Sequence, residues 1–310
     1  MLQVPSIEIP TSGSAKLKVR GREVALTNLD KPFWPELGIT KGALIQYYAD
    51  VAPFLLPHIQ DRAMVMKRAP TPRPDWLRTC RIDHDSGNVI DFPVIDDLPS
   101  LLWVINLGCI DLNQWYAKCD DVDRPDYVHF DLDPGPGAKW EQVLECGRIV
   151  HDALDTLKMP SLVKTTGSRG LHVYVPIVRG PVQKEVWTFA KALAVELAAR
   201  NPKLMTAEYK VAKRPHGRVL VDYNQNAWGR TLASIYSVRP RPQAPVSTPV
   251  TWQEIDKGCQ IEDFRLDNVR QRIAKAGDLW KPLLQARGRV DLRRLLGPSD
   301  QKRSPRRERV

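Results

Sequence analysis

The sequence predicts an α+β fold with a mainly antiparallel central sheet flanked by helices. Two observations predict it. From residue 125 onward the signals run strand, helix, two strands, helix, then further strands. The two middle strands are separated only by the short turn "TTGSRG", which suits a hairpin. A doubly wound parallel sheet would place a helix between successive strands.

The elements follow in order. Residues 1–15 are rich in Pro, Ser and Gly and are expected to form a loose arm. "KGALIQYYADVAPFLLPHI" reads as an amphipathic helix that closes near Pro57. Residues 16–120 hold few clear strands and are expected to form an accessory lobe around that helix. The Pro- and Arg-rich "RAPTPRPDWLRT" reads as an exposed loop. "DYVHFDLD" is a strand, and "WEQVLECGRIVHDALDTL" places Val143, Leu144, Val150, Ala153, Leu154 and Leu157 on one helical stripe. "SLVKTT" and "LHVYVPIV" are the hairpin strands. "KEVWTFAKALAVELAAR" is a helix ending before Asn201-Pro202, and "RVLVDYN" and "TLASIYSV" are further strands. The polar, strongly basic end, 298–310, is expected to be a disordered tail. The folded unit is thus 16–297, with the lobe over 16–120 and the motif-bearing part over 121–297.

Composition narrows the function classes. The 310 residues carry a formal charge of +10 with a pI near 9.4, a balance that favours polyanionic partners, nucleic acid first. Five cysteines show no Cys-x-x-Cys spacing, which argues against a disulfide framework or zinc knuckle and for a reducing compartment. Cys80 and His84 find no second pair of like spacing and read as structural. The N-terminal stretch has no positive n-region followed by an apolar h-region, and no run reaches the length needed to span a bilayer, so the expectation is a cytoplasmic protein with no membrane partner.

The chemistry is concentrated in "YVHFDLDPGPG". Alternation puts Tyr127, His129, Asp131 and Asp133 on one face of the strand and Val128, Phe130 and Leu132 on the other. Two carboxylates side by side repel, and a hard divalent cation relieves that repulsion. A third strand-borne acid, Asp222 in "RVLVDYNQN", shares a face with Leu220 and could complete a two-metal phosphoryl-transfer set. Asp-x-Asp alone is equally two acids at a strand end. In "KTTGSRGLHVYV", Gly167 and Gly170 allow a tight turn that would expose backbone N–H groups. Thr166 and Ser168 add hydroxyls, Arg169 a charged fork, and His172 an imidazole one residue into the next strand. That chemistry suits a triphosphate; taken alone, the same turn is also a polar hairpin with a half-exposed histidine.

Three segments, "HFDLDPGPG", "TTGSRGLHVYVP" and "VLVDYNQNAWGRTLASIYSVRP", resemble in order and spacing the three motifs of the polymerase domain of bacterial ligase D, within the archaeo-eukaryotic primase superfamily. "LTNLDKPFWPELGITKGALIQYYADVAPFLLPHI" is similar to that family's opening segment, and the resemblance runs from about Lys16 to about Gly297. It implies the primase-polymerase fold, in a standalone form without ligase and nuclease domains.

The resemblance also implies roles. Asp131, Asp133 and Asp222 would form the catalytic, metal-binding triad for two ions, Mn²⁺ or Mg²⁺. Thr166, Ser168, Arg169 and His172 would hold the incoming NTP or dNTP, with Lys67, Asn113, Gln225 and Arg239 near the nucleotide. Asn28, Lys31 and Lys41 match the region that binds a 5′-phosphate on downstream DNA. The implied activity is template-directed filling of short gaps and extension of ends in repair such as non-homologous end joining, favouring ribonucleotides. The 3′-hydroxyl would be activated by one ion and the departing pyrophosphate neutralised by the other. Implied partners are gapped or broken double-stranded DNA bearing a 5′-phosphate, the end-binding protein Ku and a separate ligase. De novo priming and a catalytically silent DNA-end-binding module are the alternatives.

Three departures from the family pattern stand out. Asn113 replaces a usual His, Thr166 replaces a frequent Ser, and "MKRAPTPRPDW" stands where a Phe-Phe pair is typical, leaving Trp76 as the candidate for template stacking.

Overall fold

The computed structural model describes residues 7–66, 73–83 and 87–296. The chain begins with a hairpin, β1 (Ala15–Val19) and β2 (Arg22–Leu26), followed by β3 (Pro32–Trp34), β4 (Ile39–Thr40) and helix α1 (Lys41–Ile59). Next come β5 (Met64–Val65), β6 (Thr79–Asp83), β7 (Val89–Pro93), helix α2 (Leu98–Asn106), β8 (Asn113–Trp115), β9 (Ala117–Lys118) and β10 (Asp121–Pro125). The second half holds β11 (Tyr127–Pro134), α3 (Trp140–Thr156), β12 (Leu162–Thr165), β13 (Leu171–Pro176), α4 (Gln183–Arg200), β14 (Met205–Thr206) and β15 (Val219–Asp222). It closes with β16 (Thr231–Ala233), β17 (Pro249–Val250), α5 (Trp252–Asp256), α6 (Val269–Ala276) and α7 (Lys281–Leu284).

The α+β expectation holds. The main sheet has six strands in the order β14-β15-β11-β13-β12-β17, antiparallel except for the β14–β15 pair. Its aliphatic face is continuous across strands: Phe130 lies opposite Val173, and Leu132 opposite both Leu171 and Val221, all fully buried. Helix α3 covers β13 so closely that a Cβ on Gly147 would stand 3.0 Å from Leu171 Cδ1. On α3, Val143, Leu144, Val150 and Leu154 are buried as the stripe predicts, but Leu157 follows the last helical residue and is exposed.

Several expectations are corrected. The N-terminal half is not poor in strands. Several are only two or three residues long, and the five-residue ones each carry at least two charged or proline residues, which masks them as strands in sequence. Helix α2 also escaped the sequence reading, although Asp97 caps it by accepting from Ser100 N. Helix α1 covers the stretch read as a helix and ends two residues past Pro57. It runs through Pro53 and Pro57 to Ile59, because Leu44, Tyr48, Val51, Leu55 and Ile59 bury one side and outweigh two missing backbone donors. The described part of the expected loose arm is docked: Ile9 is buried, and its N–H donates to Gln46 Oε1 at 2.8 Å. "TLASIYSV" is a strand only as far as Ala233, and Tyr236 sits at φ 56° in the left-handed region, which ends the extended run. That strand leaves the main sheet and pairs with β8 in a second sheet, β16-β8-β5. Among the described residues no helix is long and apolar enough to cross a membrane.

Candidate active site

The site grows from the register of the main sheet. Asp131 in β11 lies directly opposite His172 in β13 on one side and Asp222 in β15 on the other. His172 in turn lies opposite Lys164 in β12. Cross-strand partners share a face, so Asp222, Asp131, His172 and Lys164 form one transverse row over four strands. Asp133 follows two residues along the same face of β11. Sequence alternation had put Asp131 and Asp133 together; the register adds Asp222 beside them.

Within the row, His172 and Lys164 are hydrogen-bonded, His172 stands beside Asp131, and Asp131 and Asp222 meet as like charges. His172 Nε2 is 3.3 Å from Asp131 Oδ1, and His172 Nδ1 is 2.8 Å from Lys164 Nζ. Asp222 Oδ1 accepts from Asn224 N at 2.8 Å, and Oδ2 accepts from Gln225 Nε2 at 3.2 Å. Gln225 thus sits behind the carboxylate. Burial pushes the Asp131 carboxyl up to about 6, against the pull of Lys164 and Arg239. Asp133 and Asp222 are raised as well, first by burial and then by the charge of Asp131. His172 and Lys164 are both pushed well below their ordinary values, first by burial and then by neighbouring cations.

Among the described residues no three His, Cys, Asp or Glu side chains already converge as a metal cage. The donor set nevertheless fits a hard divalent cation. The three carboxylates lie on one face, and burial together with the charge of Asp131 makes their ionised forms costly without a counter-charge.

A cavity of about 220 Å³ opens beside Asp131, Asp133 and His172. It is lined by eight of the residues foreseen from sequence: Asn113, Asp131, Asp133, Thr166, Ser168, Arg169, His172 and Arg239. Thr231, Leu232 and Ala233 complete the lining and were not foreseen as site residues. Strand β16 carries them there because Ala233 pairs with Asn113 and Thr231 with Trp115. Asp222 and Gln225 lie outside this lining, and Lys67 lies outside the described residues.

The turn between β12 and β13 differs from its expected form. Thr166 Oγ1 accepts from Ser168 N at 3.1 Å, Arg169 N at 3.2 Å and Gly170 N at 3.1 Å. Those amides are satisfied inside the turn rather than presented outward, so a phosphate would be met mainly by side chains. Ser168 Oγ accepts from Arg241 at 3.0 Å, and the Arg169 guanidinium is 3.6 Å from Asp133 Oδ1. Arg239 brings its guanidinium to the same cavity, and its buried Nε has no hydrogen-bond partner. Two glycines are needed for close approach. A Cβ on Gly170 would lie 2.2 Å from Leu132 O, and one on Gly167, at φ 64°, would lie 2.7 Å from Arg239 Cγ.

The N-terminal corner brings Asn28, Lys31 and Lys41 together. Lys31 N donates to Asn28 O at 3.1 Å, and Lys41 N to Lys31 O at 2.8 Å. Lys31 is exposed. Lys41, although it starts helix α1, is not a surface lysine. It is buried, and its Nζ donates to Thr27 O at 2.5 Å, where burial and Lys31 lower its pKa. Trp76, the candidate for template stacking, is half-buried with the Arg22 guanidinium 5.4 Å from its ring centroid. Cys80 and Cys119 are packed in a small satellite core with Trp115, in keeping with a structural role for Cys80.

Comparison with known proteins gives a consistent result. Residues 40–280 match the model of the LigD primase-polymerase domain family. The multifunctional non-homologous end joining protein LigD of Mycolicibacterium smegmatis is 32% identical over 280 residues, covering 85% of this chain and 36% of that protein. The bifunctional non-homologous end joining protein LigD of Bacillus subtilis is 26% identical over 270 residues, covering 82% of this chain and 43% of that protein. The chain therefore spans well under half the length of these curated relatives. Among solved structures, the polymerase domain of Mycobacterium tuberculosis ligase D in complex with DNA superposes with a TM-score of 0.77 at 29% identity, covering 84% of this chain and 98% of that one.

Proposed function

The chain belongs to the LigD primase-polymerase domain family, and on that premise we propose that it is a nucleotidyltransferase that fills short gaps and extends ends in DNA repair. The observation that carries this reading is the meeting of Asp131 and Asp222 across neighbouring strands, with Asp133 along the same face, beside a turn that brings Ser168, Arg169 and His172 to the same cavity. In this reading Asp131, Asp133 and Asp222 hold the divalent cations. When bound, Mn²⁺ or Mg²⁺ would activate the primer 3′-hydroxyl and neutralise charge at the leaving group.

The chain's own residues have separable tasks. Arg239 and Arg169 supply positive charge to the triphosphate, and Ser168 supplies a hydroxyl. The Thr166 hydroxyl keeps the turn closed. His172 offers Nε2 toward Asp131 and the cavity. Gln225 holds the Asp222 carboxylate in place through its amide. Asn113 and the β16 residues line the same cavity, where the sugar would lie, and Lys67 would add a further cation near the nucleotide. At the N-terminal corner, Lys31 would meet the downstream 5′-phosphate as a point charge, with Asn28 and Lys41 shaping the pocket. A preference for ribonucleotides, action in the cytoplasm at the nucleoid, and cooperation with Ku and a separate ligase belong to the same proposal. The chain's net charge of +10 supports a DNA partner.

Primer extension across a short gap tests the reading. Asp131→Ala is expected to lose extension by roughly a thousandfold or more, about 4 kcal/mol in barrier height, while binding gapped DNA like the wild type. Normal extension by that variant would remove the metal assignment. Tight gap binding with no incorporation by the wild type, in Mg²⁺ and in Mn²⁺, would favour a silent end-binding module.

A further inference from the structure

Asn226 stands out among residues that no role yet uses. It is fully buried and ends the single helical turn, Asn224–Asn226, that follows strand β15. The backbone ladder between β11 and β15 runs from Pro134 opposite Val219 to Asp131 opposite Asp222 and ends there. His129 lies on β11 beyond that last pair, and it too is buried. The side-chain amide of Asn226 takes both of its backbone groups. Oδ1 accepts from His129 N at 3.1 Å, and Nδ2 donates to His129 O at 2.7 Å. Nδ2 also donates to Tyr223 O at 3.0 Å. A backbone N–H only donates and a backbone C=O only accepts, so these partners fix which end of the amide is which.

We propose that Asn226 is a positioning residue: its side-chain amide continues the β11–β15 ladder past the last backbone pair and so holds Asp222 beside Asp131, where the two carboxylates can serve one cation site. The catalytic consequence rests on the nucleotidyl-transfer reading; the role in the ladder does not.

The need for such a tie follows from where Asp222 stands. It is the last residue of β15, and Tyr223 after it is helical rather than extended, at φ −85° and ψ −17°. A pair at the end of a ladder opens more easily than one flanked on both sides. Two carboxylates also repel, so a loosened turn would let Asp222 swing away from Asp131 in the metal-free protein. Asn226 closes the ladder from the far side of the turn. The same turn carries the groups that orient the Asp222 carboxylate, since Asn224 N donates to Oδ1 and Gln225 Nε2 to Oδ2. The backbone of Asn226 is anchored as well: its N–H donates to Tyr223 O at 3.1 Å, and the Tyr116 hydroxyl donates to its C=O. Leu is close to Asn in size, but here it would leave the His129 N–H and C=O buried and unpaired. Asn226 thus acts on the carboxylates through His129 and through the turn, as an outer partner that orients a ligand.

The test uses the full chain. In the metal-free wild type, hydrogen exchange followed by NMR is expected to show the His129 amide as well protected as those of Phe130 and Leu132. A His129 amide that exchanges freely would overturn the proposal, and that reading needs no variant to fold. Mn²⁺ binding, read from the EPR signal of the free ion with Asp131→Ala as the blank, is expected to weaken roughly tenfold in Asn226→Ala. Its kcat in gap filling should fall roughly ten- to a hundredfold and recover in part at higher Mn²⁺, with DNA affinity unchanged. Leu154→Ala, a core substitution on α3, is the control for lost stability. It should lower the melting temperature at least as far and leave Mn²⁺ affinity unchanged. A folded Asn226→Ala that binds Mn²⁺ like the wild type, or a Leu154→Ala that loses Mn²⁺ affinity equally, would overturn the positioning role. A wild type that neither binds Mn²⁺ nor extends a primer would count against the nucleotidyl-transfer reading, and the exchange rates would still decide whether Asn226 holds the ladder.

Discussion

In the main sheet the charged groups come from mid-strand positions and are largely buried, whereas at the N-terminal corner they come from a turn and a helix start, and Lys31 is open to water. Both regions are candidates for meeting phosphate. In the first, register fixes the geometry before any ligand arrives, at the cost of carboxylates raised by burial. In the second, backbone hydrogen bonds between residues 28, 31 and 41 set the spacing, while the exposed charge is free to move. The sheet site should therefore respond to mutation through stability and pH, and the corner through salt.

The largest expected effect on stability lies at the turn. Thr166→Ala removes the shared acceptor of three amides and is expected to cost about 3 kcal/mol in denaturant unfolding. Thr166→Ser keeps the acceptor and should cost less than about 1 kcal/mol. Equal stability of Thr166→Ala and the wild type would mean that the turn is not preorganised, and the contrast with the corner would weaken.

An effect of similar size and opposite sign is expected at Asp131. Its folded pKa of about 6 lies above the unfolded value of about 3.9. The folded state thus binds the proton more tightly, so metal-free stability falls as pH rises from about 4 to about 6 and stays low above. Asp131→Asn should stabilise the metal-free protein by about 3 kcal/mol at pH 8, and the gain should vanish near pH 4. Cation binding should strengthen over the same pH window, because the ligand must lose its proton. Thermal unfolding across pH, with and without Mn²⁺, checks both.

The smallest effect is at the corner. Lys31→Glu should weaken binding to a 5′-phosphorylated gap by roughly tenfold at low salt, with a shallower salt slope and a lesser loss without the phosphate. Equal losses on both substrates would reduce the corner to general DNA attraction. Lys41 is the wrong residue for charge reversal, since its buried stem and its bond to Thr27 make it part of the fold.

The same contrast explains what could be read in the sequence. Helices α1, α3 and α4 and strands β11, β12, β13 and β15 were legible because each carries a long enough apolar pattern. The shared face of Asp131 and Asp133 followed from alternation. That Asp131 meets both Asp222 and His172 did not, because register is a tertiary property between residues 41 to 91 positions apart. Lys164 looked like any strand lysine, since only β12 pairing with both β13 and β17 buries it. Thr166 was read as a phosphate-turn residue, but that its hydroxyl faces the turn's own amides was not foreseen. In the N-terminal half, several strands are only two or three residues long and the five-residue ones each carry at least two charged or proline residues, which hides an apolar run, and burial of Lys41 depends on how α1 docks against residues 27–31.

The account stands on one claim, that carboxylates from two strands act as one set. Gap filling by Asp222→Ala against the wild type, on a one-nucleotide gap with a 5′-phosphate and Mn²⁺, tests it most directly. The account predicts that the wild type inserts the templated nucleotide and that Asp222→Ala is slower by roughly a thousandfold, with unchanged gap affinity. Insertion by Asp222→Ala at the wild-type rate would contradict it.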